Sequence, residues 1–159
     1  EHSIDVSIFF LTHNKISKEL VFAHERGVKV RVILDATAAK NGYSKHNYLR
    51  KHGIDVKVEN WGGKMHMKAA VFDKKHVVVG SMNWTKAGEK KNDENTIIIK
   101  NSPKHANQLF FFFEEMWNSI PARWLLEDPN PESKESGTSC YDLIDNDFDK
   151  IIDSNEMEC

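Results

Sequence analysis

His66 and Lys68 stand two residues apart, followed by Asp73 and then by Gly80-Ser81-Met82-Asn83. Residues i and i+2 of an extended strand project from one face, so a strand here puts the imidazole and the ammonium on the same side. The polar triplet Asp73-Lys74-Lys75 reads as a tight turn that sends the chain back along His76–Gly80. Ser81 and Asn83 then return to the neighbourhood of His66. A phosphodiester calls for this combination of groups, because its negative charge repels hydroxide. A neutral imidazole can instead attack phosphorus and form a covalent phosphohistidine, dividing one hard step into two. Lys68 and the Asn83 amide would hold the non-bridging oxygens as charge builds on them. A second histidine must protonate the leaving oxygen and then activate water. The chain contains one such motif.

The elements that position these residues follow from hydrophobic period. Ile4, Val6, Ile8 and Phe10 alternate as a strand does, and Ile16, Leu20 and Ala23 recur as on a helix that stops at Arg26-Gly27. A second strand is expected over Val28–Leu34, closed by Asp35. A helix over Tyr43–Lys51 stopped by Gly53 leads to a short strand at Ile54–Val58. Strands over Met65–Phe72, His76–Gly80 and Thr96–Lys100 come next. A helix then begins at Ser102-Pro103 and runs to about Trp117, with Leu109, Phe112, Phe113, Met116 and Trp117 on its apolar face. That face reads as core or dimer contact. The alternation of strand and helix predicts an α/β fold with a mixed β-sheet flanked by helices. Trp61-Gly62-Gly63-Lys64 reads equally as a rim over a substrate groove and as a plain turn.

The spacing His66-x-Lys68-x4-Asp73-x6-Gly80-Ser81-x-Asn83 resembles the signature of the phospholipase D superfamily at every one of its fixed positions. Lys91-Asn92-Asp93-Glu94-Asn95 before a strand, and the Arg26–Asp35 segment, are also similar to it. The resemblance runs from about Ile4 to Trp117 and is closest to small single-motif members, the bacterial endonuclease type and mitochondrial cardiolipin hydrolases. It implies that His66 is the nucleophile, that Lys68 and Asn83 bind phosphate with Ser81 in support, and that Glu94 orients the catalytic imidazole. Asp73 belongs to the signature as a turn residue. The resemblance further implies a homodimer in which His66 of a twofold partner is the second histidine, and chemistry that uses no metal. The first strand of such proteins, which precedes Ile4, is expected to be missing here.

Charge divides the chain. Up to Leu126 there are 20 Lys and Arg against 13 Asp and Glu; beyond it there are 2 against 11, and all 8 His lie in the first part. A basic body of this kind suits a polyanion. Lys64, Lys86, Lys90 and Lys91 lie near the motif in sequence and favour a nucleic-acid backbone. Phospholipids carry the same diester, and a basic face also binds anionic membranes. No apolar run approaches the roughly 20 residues of a membrane helix.

The expected organisation is a phosphodiesterase domain over residues 1–126, a linker rich in Pro, Ser and charge over 127–139, and an acidic module over 140–159. Cys140 and Cys159 bracket that module, as a local disulfide would, and this predicts an exported protein, periplasmic or extracellular; two free thiols on a cytosolic tail are the alternative. Within it Asp145, Asp147, Asp149, Ile151 (through its carbonyl), Asp153 and Glu156 have the spacing of a calcium loop, although Lys150 stands where such a loop has glycine. A solvated acidic tail fits the same composition. The expected function is a metal-independent phosphodiester hydrolase, an endonuclease on DNA or RNA. The alternatives are a phospholipase D-type lipid hydrolase and a non-catalytic, calcium-dependent binding module.

Overall fold

The computed structural model describes residues 2–61 and 63–130. Its centre is one mixed six-stranded sheet in the order β3-β2-β1-β4-β5-β6. The strands are β1 (Ser3–Ile8), β2 (Lys29–Leu34), β3 (Asp55–Val58), β4 (Lys68–Phe72), β5 (His76–Gly80) and β6 (Thr96–Ile99). The first three run parallel, joined through α1 (Asn14–Glu25) and then through α2 (Ala36–Lys40) and α3 (His46–Lys51). β4 turns antiparallel to β1, with Ile8 opposite Lys68, and β5 and β6 continue antiparallel. The ends of β1, β2, β3 and β5 and the starts of β4 and β6 therefore share one edge of the sheet.

Strand alternation sorts the core into two faces. Ile4, Val6, Ile8, Val30, Val32, Leu34, Val56 and Val58 pack beneath α1 and α3, which contribute Leu20, Val21, Ala23 and Leu49. On the other face Ile33 meets Phe113, Met116, Ile120 and Trp124, while Val71 and Val77 meet Ala106 and Phe110. Those partners come from α5 (Pro103–Ser119) and the 3-10 turn Ala122–Leu125. A polar strut crosses this second face. Arg31 donates to Asp5 at 2.7 Å and to Glu114 at 2.5 Å, with its guanidinium 4.8 Å from the centre of the Phe113 ring.

The structure departs from the hydrophobic pattern at several points. Phe112, expected on the apolar face of α5, is half exposed, and the buried aromatics are Phe110 and Phe113. One residue of rotation, about 100° on a helix, separates these choices. The strand expected over Met65–Phe72 starts only at Lys68, because the Met65 N–H donates to the Asp35 carboxylate at 2.9 Å instead of entering the ladder. His66 thus lies on a connecting segment. β1 similarly ends at Ile8, short of Phe10, and β6 at Ile99. The helices α2 and α4 (Lys86–Lys90), each 5 residues long, were too short for a periodic signal.

His46, one of the histidines without an expected role, is buried and hydrogen-bonds Ser44 and Asp128, both at 2.8 Å. Asp128 also takes Arg50 at 2.7 Å, so this residue of the expected linker is anchored to α3. The cysteines and all of the expected calcium ligands, Asp145 to Glu156, lie outside the described residues.

Candidate active site

β1 delivers two consecutive phenylalanines to the shared edge, and these organise the site. The Phe9 ring lies 4.6 Å from the His66 ring, centre to centre, and 5.1 Å from the Lys68 ammonium. The backbone N–H of Phe10 donates to the Asn83 side-chain oxygen at 3.3 Å. Histidine, lysine and asparagine are thus gathered around one dipeptide.

Lys68 is the first residue of β4 and is 8% exposed, while His66 is exposed. Its ammonium donates to the His66 carbonyl at 2.7 Å. Burial holds the ammonium below the usual lysine value, and the carboxylates of Glu94 and Asp35 pull it back up. The His66 ring is also held below the ordinary histidine value. Desolvation contributes most, Lys68 and Lys64 add to it, and Asp35 opposes it. A lowered value keeps the imidazole neutral near pH 7, the form that has a lone pair for attack. Asn83 spends its oxygen on Phe10, and its two amide protons have no partner among the described residues.

Gly80 and Ser81 close the site from β5. A Cβ at Gly80 would sit 2.1 Å from the Asn95 carbonyl oxygen, a space only glycine leaves open. The Ser81 N–H donates to Asn95 at 3.1 Å through the backbone carbonyl and at 3.0 Å through the side chain. Its hydroxyl donates to Glu94 and accepts from the Asn95 N–H at 3.1 Å. Glu94 also accepts from Asn92 at 3.1 Å, and these two bonds hold its carboxyl below the usual range, Ser81 having the larger effect. The Glu94 carboxylate bonds Ser81 and Asn92 within one chain, and His66 is not among its partners in the described residues.

Asp73 sits at the opposite end of β4, some five residues from Lys68 or about 16 Å at strand rise. Its carboxylate accepts the N–H groups of His2 at 2.5 Å and Ser3 at 2.9 Å, and its own φ is +56°. Burial pushes its carboxyl up, but those two bonds outweigh it and bring the value down. The geometry is that of a hairpin turn pinned to β1, away from the other motif residues.

Two residues at this edge escaped the reading by motif. Asp35 and Glu59, each 1% exposed, follow β2 and β3 and grip the segment that carries His66. The available signal was a carboxylate directly after each of two parallel strands, at the end where α/β folds place their sites. Trp61 is partly buried against the Met65–Phe113 cluster, and Gly63 has φ +96°. Among the described residues no group of three or more His, Cys, Asp or Glu is arranged to hold a metal ion.

Comparison with known proteins agrees with this geometry. The family described as "Cardiolipin synthase, PLD-like domain" matches residues 1–117. A phospholipase D of Rickettsia conorii is 40% identical over 100 residues, 63% of this chain and 50% of that protein. The human mitochondrial cardiolipin hydrolase is 31% identical over 139 residues, 87% of this chain and 53% of that protein. The chain spans about half the length of these relatives. Among solved structures, the phospholipase D family member Nuc from Salmonella typhimurium superimposes with a TM-score of 0.71 at 32% identity, covering 76% of this chain and 80% of Nuc. By motif, fold and relatives alike, the chain belongs to the PLD-like domain family within the phospholipase D superfamily of phosphodiesterases.

Proposed function

We propose that this domain hydrolyses phosphodiester bonds in nucleic acid without a metal, through a phosphohistidine on His66, and that two copies complete one site. The observation that carries the reading is the grouping, around Phe9-Phe10, of an exposed imidazole, a buried cation and an amide whose two donors have no partner among the described residues. In the first step a ring nitrogen of His66 attacks phosphorus. The P–O bond to the leaving group breaks, and the leaving oxygen takes a proton from the protonated His66 of the partner copy. In the second step that histidine takes a proton from water, the resulting hydroxide attacks phosphorus, and the P–N bond breaks. Lys68 and the Asn83 amide hold the non-bridging oxygens in both steps. Glu94 is assigned to the Ser81 loop and, in the assembled site, to orienting an imidazole.

Nucleic acid is favoured by a cleft of about 480 Å³ lined by Thr12, Asn14, Tyr43, Lys15, Lys45 and Lys86, with one carboxylate, Glu89, engaged by His13 at 3.0 Å. It adjoins the site, since Lys45 N–H bonds the Leu11 carbonyl and Trp84 N–H bonds the Phe10 carbonyl. The three lysines form no ion pair among the described residues, and Tyr43 is 78% exposed. Cations that track a backbone beside an aromatic on which bases stack are what a single strand requires. A phospholipid substrate is the second reading, favoured by the names of the Rickettsia and human relatives. An exported location and a calcium-binding tail extend the proposal to residues 131–159.

The test is to incubate the purified protein with plasmid, RNA and phosphatidylcholine vesicles in parallel, with EDTA present and with His66→Asn as control. Nucleic-acid cleavage that survives EDTA and vanishes in the variant supports the reading. Headgroup release with nucleic acid untouched replaces it with the lipid reading. Failure to turn over any diester leaves the non-catalytic binding module. An acid-labile phosphoenzyme, trapped in a single turnover and absent from His66→Asn, identifies the intermediate.

A further inference from the structure

No strand lies beneath His66. Its segment is fastened at Trp61 and Met65 by the two buried carboxyl groups already located, and at Met67 by the Phe9 N–H, which donates to the Met67 carbonyl at 2.9 Å. Asp35 caps α2 by accepting the Ala38 N–H at 3.0 Å, and its other oxygen accepts the N–H of Met65, the residue before His66, at 2.9 Å. Glu59 accepts the Ala36 N–H at 3.0 Å and the Trp61 N–H at 2.7 Å. Four backbone donors, two from α2 and two from the His66 segment, therefore converge on two carboxyl groups. Those groups are also hydrogen-bonded to each other.

Two touching carboxyls in a buried site cannot both be ionised, so the pair holds one proton. The charged groups that act on it are Lys64, His66 and Lys68, each through Asp35. From α2 come backbone N–H groups and the Thr37 hydroxyl, which meets Lys64 at 3.5 Å. The cations thus favour Asp35 as the ionised member. Burial, the largest influence on Glu59, together with the neighbouring Asp35 pushes its carboxyl up to about 8, and Glu59 carries the proton.

We propose that Asp35 and Glu59 form a proton-sharing clamp that positions His66 for attack, the proton on Glu59 keeping Trp61 and Met65 held together against α2. Both are positioning residues, and the proposal rests on the reading of His66 as nucleophile. When the shared proton leaves, two buried negative charges face each other; their amide donors favour the ionised forms, so the relief available is to part the two carboxylates, which shifts Trp61, held by Glu59, away from Met65, held by Asp35. His66 then loses its place beside Phe9, while Lys68 stays in β4 and Asn83 stays on the Phe10 N–H. Alkaline pH should accordingly lower kcat and leave KM little changed.

The experiment is a kcat and KM profile from pH 6 to 9.5 on bis(p-nitrophenyl) phosphate, whose leaving group departs without a general acid. The wild-type protein is run with Glu59→Gln and His66→Asn, and the Trp61 and Met65 amides are followed by NMR. The wild type should lose kcat about tenfold per pH unit above a midpoint near 8, as a single titrating group does. Glu59→Gln should be slower at pH 7 yet lack that limb. Both amides should titrate with the same midpoint in the wild type, a measurement that needs no variant to fold. An unchanged limb in Glu59→Gln, or Trp61 and Met65 amides that do not move between pH 7 and 9, overturns the clamp. Full activity in His66→Asn overturns the nucleophile instead, and the amide titration then tests the clamp by itself.

Discussion

Replacing Lys68 by methionine separates binding charge from folding. The side chain is 8% exposed and its ammonium is fixed by the His66 carbonyl at 2.7 Å, so the cation is in place before substrate arrives. A phosphoryl oxygen about 4 Å from that nitrogen, at an effective dielectric near 20, is stabilised by about 4 kcal/mol. Methionine keeps the aliphatic bulk and removes this term, so kcat/KM should fall by about 10³. The diester already bears one negative charge in the ground state, and part of the loss should therefore appear as a raised KM. Stability should barely respond. Burial disfavours the ammonium, so removing it relieves a desolvation cost, while the His66 carbonyl loses one hydrogen bond of about 1 kcal/mol. Single-turnover kinetics on an activated diester, paired with thermal melts by circular dichroism, reads both quantities. Activity within tenfold of wild type in a folded Lys68→Met protein would falsify the placement of this cation on the phosphate.

Other perturbations test other parts of the structure. If His66 attacks as the neutral imidazole, its value below the ordinary 6.5 places the midpoint of the acid limb of activity under 6.5; a plateau that begins above pH 7 contradicts this. Arg31→Met strands the buried Asp5 carboxylate and should cost about 3–5 kcal/mol in urea unfolding, most of it recovered in the double variant with Asp5→Leu. Additive losses in that cycle would show that the strut is not a pair. Gly80→Ala drives a methyl into the Asn95 carbonyl and should destabilise by at least 1–3 kcal/mol, displacing Ser81 and reducing turnover. A Gly80→Ala protein with wild-type melting and activity would mean that the contact relaxes freely. The carboxyl value of Glu59, raised above its unfolded 4.5, makes stability greatest below that pH and lost progressively as pH rises to about 8, so wild-type melting temperatures should fall across that window and those of Glu59→Gln should not.

The motif residues were legible because their chemistry is written in local spacing. Lys68 and Gly80 are set by the period-two β4–β5 hairpin, and the turn declares itself through the polar triplet Asp73-Lys74-Lys75, of which Asp73 is a residue type that tolerates its positive φ. The parallel half of the sheet was legible as well, since β2 and β3 carry apolar residues at alternate positions (Val30, Val32, Leu34; Val56, Val58) and each is followed by an acid. What sequence could not supply was competition for backbone donors. Met65 has the side chain of a strand residue, yet Asp35, 30 positions away, takes its N–H and ends the strand early. The Asp35–Glu59 contact is likewise tertiary: an acid after each strand marks the end of the sheet, but not that the two carboxyls meet. Phe112 looked buried because four consecutive phenylalanines leave the helical phase undetermined, and only packing against the sheet selects Phe110 and Phe113.

The Lys68 backbone is held by a sheet ladder, whereas His66 lies two residues outside it, between the Met65 N–H on Asp35 and the Met67 carbonyl on the Phe9 N–H. On the proposed reading, the grip on the anion and the reach of the attacking ring belong to different stretches of backbone, joined by the bond from the Lys68 ammonium to the His66 carbonyl. Loop replacement between Glu59 and Met65 could retune how fast the ring engages, provided that this bond is kept. A scaffold divided in this way can adopt new diesters by editing a single surface segment.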